Sequence, residues 1–139
     1  MKALDLAKVA VLGLALSTAA CAQSYVIKGM QGAPDADAKI TATVISENRL
    51  TQIAIKAEHL APPERLLAGT TAYVVWARQD ANGDWYRIAK LDYDANGRKG
   101  EVQVATVPLT GFELAISAEK EDMPKSPSTT IVFTQKISN

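Results

Sequence analysis

The chain of 139 residues predicts an all-β fold, a two-sheet antiparallel β-sandwich of immunoglobulin-like type with seven to eight strands, preceded by a signal peptide. Three observations predict it. Apolar and polar residues alternate with period two through most of the sequence, as half-buried strands require. Asn-Gly and Asp-rich turns recur between those runs. Two proline-bearing segments interrupt the pattern where a chain would leave one sheet for the other.

The first element is a leader. Lys2 and Lys8 flank a short start, residues 9–16 are apolar, and small residues fill 17–22, the pattern of a secretory signal peptide over residues 1–22. The apolar run is shorter than the roughly 20 residues that span a bilayer. Two cleavage readings compete. Ala20-Cys21-Ala22 suits a cut before Gln23, whereas Thr18-Ala19-Ala20-Cys21 resembles a bacterial lipobox in which Cys21 becomes a lipidated first residue, with Thr18 where an aliphatic residue is usual. Both predict an exported protein, free in the periplasm or outside the cell in one case and anchored to the outer membrane through Cys21 in the other. Cys21 is the one cysteine, so the domain over residues 23–139 has no disulfide framework.

That remainder is one domain by size. Subtracting Lys2, Lys8 and Asp5 from the fifteen basic and fifteen acidic residues leaves thirteen against fourteen. A net charge near minus one, with no basic run, argues against nucleic acid as a partner.

Within the domain, Ile40, Ala42 and Val44 alternate with Thr41, Thr43 and Ile45, and a turn at Ser46-Glu47-Asn48 leads to a strand in which Ile53, Ile55 and Ala57 alternate with Gln52, Ala54, Lys56 and Glu58. Pro62-Pro63 makes residues 61–69 a crossing loop, with a helical turn at 64–67. Residues 70–78, containing Ala72-Tyr73-Val74-Val75-Trp76-Ala77, are apolar on both sides and predict a central strand covered by two layers. Asp80-Ala81-Asn82-Gly83-Asp84 turns into a strand over 85–92, and Asp94-Ala95-Asn96-Gly97 precedes a strand around Val102 and Val104. Phe112, Leu114, Ile116 and Ala118 share one face of the next strand, with Glu113, Ala115, Ser117 and Glu119 on the other. Pro124-Lys125-Ser126-Pro127-Ser128 is read as a second crossing loop, and Ile131, Phe133, Gln135 and Ile137 form the last strand.

Candidate sites are few. Asp92-Tyr93-Asp94-Ala95-Asn96-Gly97 reproduces the opening of an EF-hand calcium loop, which makes Asp92, Asp94 and Asn96 candidate metal ligands, with help from Asp80, Asn82 and Asp84 if the two turns share an end. The twelfth place holds neutral Gln103, Lys99 stands where an apolar residue locks such loops, and the flanks read as strands, so an ordinary hairpin competes. His59, the single histidine, has no set of nitrogen or sulfur co-ligands and no nucleophile motif beside it, and reads as a strand-end residue. Glu113, Glu119, Glu121 and Asp122 read as the solvated face and end of one strand. Trp85 follows a turn and is the aromatic expected at the surface, and Arg87, two residues on, shares its face; together they form the candidate binding patch.

Residues 71–132 resemble the extracytoplasmic C-terminal domain of anti-sigma-K-type regulators. The resemblance is carried by Tyr73-Val74-Val75-Trp76-Ala77, the turns at Gly83 and Gly97, the strand from Phe112 through Glu119, and Pro124-Lys125-Ser126-Pro127-Ser128. Small exported bacterial β-sandwich proteins with a Leu-x-Pro-Pro-Glu-Arg-Leu pattern, here at residues 60–66, are similar as well. The resemblance implies a sensor-like or scaffold-like sandwich. In the regulators a sigma-binding segment and a membrane helix precede this domain; a leader stands there in this chain, so sigma-factor binding is not carried over. The sequence thus predicts a non-catalytic envelope module whose partner is an envelope protein or polysaccharide, met through its surface or by strand addition at an edge. A calcium-stabilised adhesion or carbohydrate-binding module is the alternative.

Overall fold

The computed structural model describes residues 22–30 and 32–138. The leader and Cys21 lie outside the described residues. Within them the chain is all-β, in two antiparallel sheets. β1 (Ala22–Lys28), β2 (Asp37–Ile45), β3 (Leu50–Glu58), β6 (Asp92–Asp94) and β7 (Lys99–Val107) form a five-stranded sheet in the order β1-β2-β3-β7-β6. β4 (Ala72–Arg78), β5 (Tyr86–Lys90), β8 (Phe112–Glu119) and β9 (Ile131–Ile137) form a four-stranded sheet in the order β5-β4-β8-β9. A single turn of helix, α1 (Pro63–Leu66), sits in the predicted crossing loop between β3 and β4.

The alternation read from sequence builds the core. Ile40, Ala42, Ile53, Ile55 and Ala57 of the first sheet meet Tyr73, Val75, Leu114, Ile116, Phe133 and Ile137 of the second in one buried cluster. Each fully buried aliphatic side chain there contributes about 1.5–3 kcal/mol relative to exposure. β4 is buried on both faces, as predicted. Its odd residues enter the shared core, while Val74 and Trp76 face outward into a second, smaller cluster with Ala115, against which Trp85 and Ile131 pack.

Four expectations are corrected. The structure has nine strands among the described residues, one more than the upper estimate: β1 escaped the reading, and only Tyr25 and Ile27 of it pack on the core. The predicted strand over 85–92 is two strands in different sheets. The chain changes sheet at Leu91, which is buried and donates its N–H to the Tyr73 carbonyl. The proline segment at 124–128 is not a crossing loop, because β8 and β9, on either side of it, are neighbours in the same sheet. The face of β8 read as solvated is also covered: Ala115, Ser117 and Glu119 are all buried.

Candidate functional site

The outer face of the four-stranded sheet carries a set of mutually paired side chains. β4, β8 and β9 place Arg78, Glu113 and Lys136 directly opposite one another, a rung of alternating charge across three strands. Arg78 Nε donates to Glu113 Oε2 at 2.6 Å. Both side chains are partly screened from water, at 24% and 33% exposure, which makes this pair stronger than a fully solvated one. The Arg78 guanidinium also lies 4.3 Å from the centre of the Trp85 ring, a cation–π contact. With Ile131 and Thr134, these groups line a shallow groove of about 420 Å³.

Trp85 is therefore half-buried: it packs on the Val74, Trp76 and Ala115 cluster and is capped by Arg78. The cation over its ring is Arg78, not Arg87. Arg87 Nε instead donates to the Asp122 carbonyl at 2.7 Å, and Lys90 pairs with the Asp122 carboxylate at 3.0 Å. Sequence spacing within one strand favoured Arg87; the hairpin between β4 and β5 brings Arg78 closer.

Farther along the same face runs a buried polar chain. Trp76 Nε1 donates to Ser117 Oγ at 2.8 Å, and Ser117 donates to Glu119 Oε1 at 2.7 Å. The Ser128 N–H donates to the same carboxylate oxygen at 2.6 Å. Glu119, 6% exposed, thus ties the segment after β8 back onto the sheet and is no solvated strand end. Of the other carboxylates read with it, Glu113 is the Arg78 partner, and Glu121 and Asp122 are exposed.

The calcium candidates lie on a hairpin. Asp92 and Asp94 stand on β6, opposite Glu101 and Lys99, and Asn96 is in the turn, where its N–H donates to Asp94 Oδ1 at 3.1 Å. Two residues apart on an extended strand is more than 6 Å, and one Asp94 oxygen is already engaged by the turn. Gln103 continues along β7. The segment runs out and back as paired strands where an EF-hand loop curls around its ion.

In comparisons with known proteins, no family model matches the chain, and no curated protein or solved structure matches it either. Function is read from the side chains alone. Two tyrosines that sequence reasoning gave no joint role stand out at the other end of the sandwich. Tyr73 donates to the Ala61 carbonyl and Tyr93 to the Leu60 carbonyl at 2.6 Å, their rings 5.4 Å apart and edge to face. Burial pushes both phenols above their ordinary range. They clamp the loop that carries Pro62 and Pro63.

Proposed function

We propose that the chain is an exported, non-catalytic binding module of immunoglobulin-like type that engages an envelope protein or polysaccharide through the outer face of its four-stranded sheet. The observation that carries this reading is the Arg78, Glu113 and Lys136 rung beside Trp85, an ion pair held in place under an aromatic ring, with an exposed lysine opposite it in a shallow groove. Fixed polar groups around apolar surface are what recognition sites use for orientation.

The strand order supports the immunoglobulin-like type. β2-β3-β7-β6 facing β5-β4-β8-β9 corresponds to A-B-E-D facing C′-C-F-G, with β1 added beside strand A. The leader pattern supports export, and β1 begins at Ala22, so a cut before either Cys21 or Gln23 removes at most one residue of the folded sheet. The setting of Glu119 supports a non-catalytic role, since one oxygen of this enclosed carboxylate already accepts two hydrogen bonds.

Two measurements test the proposal. Intact mass of the protein from its native envelope is expected to correspond to a start at Gln23 or at an acylated Cys21; a cytosolic protein with its leader uncut overturns export. Co-sedimentation with isolated peptidoglycan and with outer-membrane fractions is expected to be weakened at least tenfold by Lys136→Glu with Thr134→Asp, both exposed positions. Unchanged sedimentation of a folded double variant removes the groove as the binding surface.

A further inference from the structure

His59 lies where β3 ends, and the structure gives it neighbours that its sequence context did not suggest. Asp37, the first residue of β2, stands directly opposite Glu58, the last of β3. Like charges on one rung destabilise a sheet. Neither carboxylate forms an ion pair with a lysine or arginine among the described residues; the close neighbour is the His59 imidazole, whose Nδ1 is 3.2 Å from Asp37 Oδ1.

In a regular strand His59 would point away from Glu58, because successive side chains alternate faces. Its φ of +54° breaks that alternation. This left-handed conformation is uncommon outside glycine. It is held by the Leu60 N–H donating to the Arg98 carbonyl at 2.9 Å and by Arg98 Nη2 donating to the His59 carbonyl at 3.3 Å. As a result one ligand atom from each of Asp37, Glu58 and His59 falls within 4.8 Å of the others.

We propose that Asp37, Glu58 and His59 form a binding site for a divalent transition metal of the zinc class. Zinc takes imidazole nitrogen and carboxylate oxygen at about 2.0–2.2 Å. Two ligands of a tetrahedron of that size are about 3.4 Å apart by simple geometry, close to the 3.2 Å between Nδ1 and Oδ1. The imidazole directs the choice toward zinc, copper or nickel and away from calcium and magnesium, which prefer all-oxygen shells. The side chains of His59 and Asp37 are 65% and 32% exposed, so a cation enters from solvent, and the fourth position is open to water or to a donor from a partner. Lys28 stands opposite Asp37 on β1, and Lys39 and Lys56 face each other on the next rung of the same face; their charge makes the binding weaker than at a closed structural site.

The test is calorimetric titration of zinc into the protein carrying no histidine tag, with the ring resonances of His59 followed in parallel; a single histidine makes those signals unambiguous. One saturable zinc per chain and a shifted or broadened His59 ring are expected. His59→Gly should abolish both while folding at least as well as the parent, because glycine suits the left-handed backbone. Glu58→Gln should weaken zinc by about tenfold or more. A flat titration, zinc binding that survives in His59→Gly, or equally tight binding of calcium or magnesium overturns the proposal.

Discussion

Tyr73 and Glu119 show how a single buried polar group sets the stability of its surroundings. Burial raises the phenols of Tyr73 and Tyr93, so the folded chain keeps those protons where the unfolded chain, titrating near 10, releases them. Their contribution to stability is therefore complete below about pH 10 and falls as the pH rises above it. Chemical denaturation at a series of alkaline pH values should show this decline, and Tyr73→Phe should flatten it while lowering stability at neutral pH by about 1–2 kcal/mol through the lost bond to Ala61. A decline equally steep in the variant would remove Tyr73 from the account. Glu119→Ala strips the acceptor from the Ser117 hydroxyl and the Ser128 amide and should cost about 1–3 kcal/mol. Glu119→Gln, which keeps a carbonyl oxygen, should cost less, and hydrogen exchange at Ser128 should speed up in the same order. Sequence placed Glu119 on a solvated face because Glu113 and Ser117 share its period-two register. Its burial comes from residues 120–130 folding back over the strand, which no local pattern reports.

Among the elements, β4 was the most legible, since an apolar run on both faces requires cover on both sides. Which layer each residue meets was not legible: Tyr73 enters the shared core and Trp76 the outer cluster. The change of sheet at Leu91 was hidden because residues 85–92 hold no glycine, proline or asparagine to mark a break. The switch depends on Leu91 seating over Gly100 of β7, where an added Cβ would lie 2.3 Å from a Leu91 methyl carbon. Gly100→Ala should therefore destabilise the domain by about 1–3 kcal/mol, as overpacking does. Thermal melting reads the effect, and an unchanged midpoint would show that Leu91 can move aside. β1 escaped notice because Gln23, Ser24 and Lys28 dilute its alternation, and as an edge strand it buries little.

For the whole molecule, the immunoglobulin-like type proposed above would make β1 an addition to a self-sufficient pair of four-stranded layers. A chain beginning at Gly29 should keep a cooperative, β-type unfolding transition with a lowered midpoint, owing to the lost packing of Tyr25 and Ile27; circular dichroism that shows no cooperative transition would make β1 integral to the fold. By itself the sequence determined that the chain is all-β, where most strands and turns fall, and which face of β3 and of β8 turns to the shared core, because burial on one face of a strand is written in period two. The tertiary structure alone decided which strands share a sheet, that Arg78 caps Trp85, that Glu119 is enclosed, and that Asp37 meets Glu58 and His59. Those outcomes depend on contacts between residues far apart in the chain, fixed by strand pairing and by loops that fold back, and local periodicity carries no information about either.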